Sequence, residues 1–326
     1  MGIENNEISS KALGGTELMT KFIKDNIDPA LLDKFQITPS RIRDLDETKL
    51  RIFYAHDLPH DPESAPLANG GYEKFHRLVF VSHWQQQLYI NHFKLPWHKT
   101  VVLQNAINPI EISEKPTDKI RLIYHSTPHR GLNILVPVFE ELLKTYPDKI
   151  HLDVYSSFKL YGWEDRDKHF ESLFEKIKSN PNMTYHGTVS NEEIRIALAK
   201  SHIFAYPSIW PETSCICLME AMSAGLICVH PNFGALPETA ANLTYMYNWH
   251  EDQNIHVKIF YMYLKEAIDL ALSKPGDDAK MGMAKTYADL FYGWGLRRIQ
   301  WTQFLKSIEH EPVEMPKAPV FTYRTS

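Results

Sequence analysis

The feature that most constrains the fold is a strand–loop–helix–strand unit spanning residues 203–229. Ile203, Phe204, Ala205 and Tyr206 form a short apolar run that Pro207 stops. Pro211 biases Trp210 away from helical angles, so 208–211 reads as loop. Thr213 or Ser214 is placed to cap the helix that follows, Gly225 to end it, and Leu226 to Val229 resume a strand. Glu212 lies in the loop, and Glu220 lies about two turns into the helix. Between them is a helix start with unpaired N–H groups and a positive dipole end, which suits an anion. A carboxylate buried in a helix needs hydroxyl or cationic partners, and a sugar diol is one. Two hydroxyl-gripping carboxylates around an anion site therefore fit a nucleotide-sugar. The spacing alone is common and is more often a solvated pair, so the neighbouring residues decide.

The same alternation runs through the chain. The first ten residues read as extended or irregular. Gly14 and Gly15 open a helix that runs to about Ile23, with Leu18, Met19, Phe22 and Ile23 on one side. Strand patterns at 51–55, 78–82 and 100–103 follow, with a helix at 83–92. Residues 105–117 are irregular, contain Pro109 and Pro116, and read as a linker. A second block has strands at 121–124, 151–155 and 183–186, and helices at 133–145, 165–178 and 191–199. Long helices begin near Glu251, with breaks near residues 274–277 and 293–295. Alternating strands and helices imply parallel sheets covered on both faces. The expected fold class is α/β, with two Rossmann-like domains facing across a cleft and the N-terminal one reduced. The expected units are 1–115, 116–293, and a C-terminal helix and tail at 294–326. Trp294, Trp301 and Phe304 form a core stripe on that helix. Ligands of such folds bind at the carboxyl ends of the strands.

The 326-residue chain has 44% hydrophobic and 23% charged residues, as a globular protein does. A net charge of −5 makes no case for nucleic-acid binding. Cys215, Cys217 and Cys228 sit among apolar residues, which argues against a disulfide framework and for a reducing, cytoplasmic setting. The N-terminus is polar and acidic, unlike a signal peptide, and no apolar run approaches 18 residues. Peripheral membrane contact stays open.

Several chemistry-bearing residues fall at strand ends. His56 follows the strand at 51–55 directly. Ser126, Thr127, His129 and Arg130 lie between a strand and a helix, and their hydroxyls, imidazole and guanidinium suit diphosphate oxygens. Gly14 and Gly15 let backbone approach a phosphate. His56 and His60 have i, i+4 spacing, but Pro59 disfavours a helix between them, so no metal site is expected.

Taken together, these residues resemble a family-4 glycosyltransferase of the GT-B fold. The resemblance rests on Gly14 to Glu17, His56–Asp57, Val81–Ser82, residues 102–108, Arg130 to Leu132, Gly187, residues 203–208, and Glu212 through Gly225. It implies metal-independent transfer of a sugar from a nucleotide-sugar to a carbohydrate or glycoconjugate acceptor, with retention at the anomeric carbon. It also implies roles. Glu220 would bind the donor ribose, and Glu212 would sit by the donor sugar. Thr213, Ser214, Cys215 and Ile216 would present backbone amides. Arg130 would neutralise the leaving diphosphate, His56 would contact the donor sugar near the reacting centre, and Gly15 would approach phosphate. No cofactor is implied. Rival readings are an epimerase or phosphorylase on the same fold, and a non-catalytic nucleotide- or sugar-binding protein.

Overall fold

A computed structural model describes residues 14–273 and 279–314. The first ten residues and the helix break near 274–277 lie outside the described residues. The described chain forms two parallel sheets. The N-terminal sheet contains β1 (Phe35–Pro39), β2 (Leu50–Ala55), β3 (Arg77–Phe80) and β4 (Thr100–Val102), ordered β1-β2-β3-β4. The C-terminal sheet contains β5 (Ile120–His125), β6 (Ile150–Tyr155), β7 (Met183–Tyr185), β8 (Ile203–Ala205), β9 (Ile227–Pro231) and β10 (Tyr245–Tyr247). Its order is β10-β9-β8-β5-β6-β7, again all parallel.

Burial follows position in the sheet. Every residue of β2 is buried, and helices cover both faces of its sheet, so the strand reads as a continuous apolar run. β6 lies next to the edge and alternates between buried and half-buried residues. β1 and β10 were not legible as strands. β1 mixes Gln36 and Thr38 with apolar residues and ends on Pro39, which an edge strand tolerates. Gln36 is buried, and its amide bonds to the backbone of Asp44 and Asp46 at 2.8 Å each. β10 has only three residues.

The order of the C-terminal sheet reverses between β5 and β8. From β5 the chain winds outward through β6 and β7, then returns to β8 and winds the other way through β9 and β10. The helices after β5 and β8 therefore leave the sheet on opposite sides of the switch point, where folds of this kind bind their ligands. The N-terminal sheet has no such reversal.

The helix Trp294–Ile308 packs against the N-terminal sheet. Trp294, Trp301, Leu305 and Ile308 share a core with Met19, Ile23, Ile52 and Tyr54. Trp301 meets Tyr54 edge-on at 5.2 Å, and Trp294 meets Phe22 at the same distance. An ion pair between Lys34 and Glu309 at 2.6 Å, and a second between Arg77 and Glu311, fasten its end.

Candidate active site

The helix at the centre of the site spans Ile216–Ser223. It starts later than its sequence implies, and neither Thr213 nor Ser214 caps it. The N-cap is Cys215, which has no side-chain cap bond. Leu218 and Met219 N–H both reach Cys215 O at 3.1 Å, so the N–H groups of Ile216 and Cys217 stay outside the intrahelical ladder. Glu220 is consequently one turn inside the helix, not two. At the other end, Gly225 N–H bonds to Met222 O and Leu226 N–H to Ala221 O, with Gly225 at φ +67°.

Arg130 and Glu212 meet across the switch point. Arg130 leaves the turn Pro128–Arg130 after β5, and Glu212 lies in the loop after β8. Gly131 joins that turn to the helix Leu132–Thr145 at φ +112°, and a Cβ there would stand 2.2 Å from Pro207 O. Only glycine lets the two loops come this close. Arg130 Nη1 donates to both Glu212 oxygens at 2.9 Å, and Tyr206 OH donates to Glu212 Oε1 at 2.5 Å. Glu212 is buried. Burial pushes its carboxyl up, and the Arg130 guanidinium and Tyr206 hydroxyl oppose that push. Arg130 engages Glu212 through Nη1 alone, and its Nε is buried without a partner.

Glu220 is also buried. Asn191 Nδ2 donates to its Oε1 at 3.1 Å, and His125 Nε2 stands 3.8 Å from its Oε2. Burial raises this carboxyl above the ordinary range, against the pull of His125. Asn191 and His125 are the holders of Glu220 that the sequence did not single out. The signal available was position, since His125 ends β5 and Asn191 opens the helix Asn191–Ala199.

From the N-terminal domain, His56 follows β2. Its ring is edge-on to Tyr54 at 4.2 Å, and its Nε2 is buried without a partner. Burial pulls its pKa down to about 3, so the ring is neutral near pH 7. Its carbonyl accepts from Thr213 Oγ1 at 2.8 Å, which joins the two domains at the site. Gly14 caps the helix Gly15–Asn26 and lies against Tyr161, whose ring carbon would be 2.4 Å from a Cβ at Gly14. A Cβ on Gly15 would stand 3.2 Å from Ile216 Cδ1. The glycine pair therefore faces the start of the central helix. His129 stacks on Phe158 at 5.1 Å, and its pKa is pulled down to about 4 by burial and by Arg130 and Arg166.

Unpartnered buried polar atoms gather at these strand ends. They include both ring nitrogens of His125, Thr127 Oγ1, His129 Nδ1, Arg130 Nε, Ser156 Oγ, Thr188 Oγ1, Ser214 Oγ and His56 Nε2. Ser126 Oγ has only Tyr206 OH, at 3.4 Å. Buried polar groups are normally paired, so a cluster of them marks space shaped for a polar ligand. A cavity of about 630 Å³ bounded by Ile42, Arg43, Arg51, Glu73 and Lys74 contains none of the candidate residues. Among the described residues, no group of three His, Cys, Asp or Glu is poised to hold a metal ion. No described helix is long and apolar enough to cross a membrane.

The sequence pattern of the family described as Glycosyl transferases group 1 matches residues 108–285, more than half of the chain. The chain belongs to that family. Its members are retaining GT-B enzymes that take sugar from nucleotide-sugar donors, generally without a metal. Among curated proteins, the chain is 27% identical over 146 residues to a component of the phosphatidylinositol N-acetylglucosaminyltransferase of Homo sapiens. The match covers 42% of this chain and 28% of that protein. The Arabidopsis thaliana counterpart is 26% identical over 170 residues, covering 49% of this chain and 35% of that one. The chain thus spans about a third of the length of these relatives.

Solved structures share the fold. A glycosyltransferase from Rickettsia africae superposes with a TM-score of 0.66 at 14% identity, over 95% of this chain and 84% of that one. The pneumococcal O-GlcNAc transferase GtfA, solved with UDP and GlcNAc, gives 0.65 at 14% identity, over 90% and 60% of the two chains. Anabaena Alr3699/HepE, solved with UDP and glucose, gives 0.63 at 15% identity, over 89% and 81%. The α/β architecture of two parallel sheets with a reduced N-terminal sheet is a GT-B arrangement.

Proposed function

We propose that this chain transfers a sugar from a nucleotide-sugar to a carbohydrate or glycoconjugate acceptor, with retention and without a bound metal. The observation that carries the reading is the cluster of unpartnered buried polar atoms around Arg130, Glu212 and Ser214 at the switch point of the C-terminal sheet. Glu220, held by Asn191, receives the ribose hydroxyls. The N–H groups at the start of the helix Ile216–Ser223 receive diphosphate oxygens. Arg130 keeps one nitrogen on Glu212 and turns its free Nε toward the same phosphate. Breaking the glycosyl–phosphate bond builds negative charge on the diphosphate. Fixed dipoles and a guanidinium favour that state over the ground state, which removes the need for a divalent cation. Glu212 anchors Arg130 beside the donor sugar, and neutral His56 offers its free Nε2 to the sugar from the facing domain. Gly14 and Gly15 let that domain approach the donor. Ser126, Thr127 and His129 supply the remaining polar contacts, and Thr213, Ser214, Cys215 and Ile216 shape the loop around it.

Two solved relatives hold UDP, so UDP-sugars are the first donors to test. The curated relatives' names pair N-acetylglucosamine with phosphatidylinositol, which makes UDP-N-acetylglucosamine and a lipid acceptor one arm of that screen. Release of UDP should continue in EDTA. Complete loss in EDTA, restored by Mg²⁺ or Mn²⁺, would overturn the metal-free scheme. A second reading, a non-catalytic nucleotide-binding protein, is favoured by one observation, the four-stranded N-terminal sheet. It predicts donor affinity with no turnover toward any acceptor.

A further inference from the structure

We propose that Glu238 is a positioning residue that latches the two domains closed, fixing His56 against the loop that carries Glu212. Glu238 lies in the helix Leu236–Ala240, which follows β9 in the C-terminal domain. Its Oε1 accepts from His83 N–H at 3.0 Å and from Gln104 Nε2 at 3.2 Å, and its Oε2 accepts from Trp84 N–H at 3.1 Å. All three donors belong to the other domain: two open the helix His83–Phe93 after β3, and the third follows β4. Most surface ion pairs involve two long, mobile side chains and contribute little. Here two of the three donors are backbone groups at a positive helix end, already oriented for a carboxylate.

The helix does not need Glu238 for its cap. Ser82 Oγ already accepts from Gln85 N–H at 3.0 Å. The His83 and Trp84 N–H groups are two orphans of the first turn, which would face water in an open cleft. Neighbouring contacts cross the same boundary. Ser82 Oγ donates to Thr213 O at 2.6 Å, and Thr213 Oγ1 donates to His56 O at 2.8 Å. On the C-terminal side, Ala235 N–H donates to Glu212 O at 2.7 Å, just before the helix that bears Glu238. Gly234 packs so closely there that a Cβ would stand 2.6 Å from Glu212 N. The latch and the Glu212 loop therefore move as one piece, and engaging Glu238 sets where His56 stands relative to that loop. This inference rests on the sugar-transfer reading of the cleft, but Glu238 itself need touch neither donor nor acceptor.

Two variants test it from opposite sides. Glu238→Gln removes the charge. His83→Pro deletes one backbone donor at the first helical position, where proline is tolerated, and Ser82 already has the extended geometry a residue before proline requires (φ −158°, ψ 159°). Each should lower kcat with a UDP-sugar by about tenfold or more, the loss expected for hydrogen bonds to a charged group. UDP affinity by calorimetry should stay unchanged, and the double variant should be no worse than the worse single one. X-ray scattering, with and without UDP, should show a larger radius of gyration for each variant than for the wild type. Loss of UDP affinity in step with kcat, wild-type kcat in both variants, or a kcat loss with superimposable scattering curves would each overturn the latch. If the wild type binds UDP but turns over no donor, the sugar-transfer reading fails separately. The scattering comparison then decides the latch alone, and curves superimposable on the wild type sink it.

Discussion

The two sheets present their strand ends to the same cleft in opposite states. At the N-terminal sheet, the polar groups after β3 are engaged across the cleft: Ser82 bonds to Thr213, and the His83 and Trp84 N–H groups bond to Glu238. At the C-terminal sheet, Thr127, His129, Ser156, Thr188 and Ser214 carry buried atoms without a hydrogen-bond partner. Each such atom costs about 1–3 kcal/mol when left dry, so the second state persists only where something else repays it. Strand order explains the difference. The order β1-β2-β3-β4 has no reversal and leaves no crevice, whereas the reversal between β5 and β8 opens one. On the proposed reading, one domain closes and the other binds. The N-terminal side has exceptions, His56 Nε2 after β2 and Asn105 Oδ1 after β4, and His56 is the one placed against the Glu212 loop through Thr213.

That exception gives the largest expected effect. His56→Ala should lower kcat by about 10²-fold or more, as for a positioned catalytic group, with nucleoside diphosphate affinity little changed. Turnover and calorimetric affinity measured on one preparation decide it. If affinity collapses while saturated turnover persists, His56 belongs to the binding side and the contrast between the sheets fails.

Glu220 tests the other side. Glu220→Ala should weaken nucleoside diphosphate binding by about 1.5–3 kcal/mol. A folded variant with wild-type affinity would remove the ribose role and leave Glu220 as a buried group serving only Asn191 and His125.

The smallest effect concerns acid. His56 has a folded pKa of about 3 against an ordinary value of 6.5. The unfolded chain therefore binds more protons between those values. The His56 linkage effect fades about one unit above pH 6.5, and stability falls as pH drops through that window toward 3. At pH 5.5, His56 should account for roughly 1 kcal/mol of the loss. Denaturant titrations of wild type and His56→Gln at pH 7.5 and 5.5 should show the variant losing less on acidification. Equal losses would mean the ring is solvated.

Much of this was legible because periodicity and strand-end chemistry are local. The 203–229 unit, the alternation before it and the residues at the ends of β2, β5 and β8 all stand in the sequence as short patterns. What sequence could not supply was pairing. Arg130 and Glu212 are 82 residues apart and meet only because β5 and β8 are neighbours. Glu238 and His83 are 155 apart and meet only because the loops after β3 and β9 pack together across the cleft. The helix start was misplaced for a related reason. Thr213 looks like a cap, but its hydroxyl is drawn to the His56 carbonyl across the cleft, and Cys215 is left at the N-cap. β1 escaped because its buried Gln36 is satisfied by a loop that its own pattern does not announce.

The most direct test of a binding C-terminal sheet facing a closing N-terminal one is an amide hydrogen-exchange map, with and without a panel of nucleoside diphosphates that includes UDP. Protection should concentrate at residues 126–131 and 213–217, the two loops at the switch point, with little change at 82–84, which Thr213 and Glu238 already hold across the cleft. If no diphosphate in the panel protects those loops, or if protection falls instead on the cavity bounded by Arg43, Arg51 and Lys74, the switch-point crevice is not the donor site.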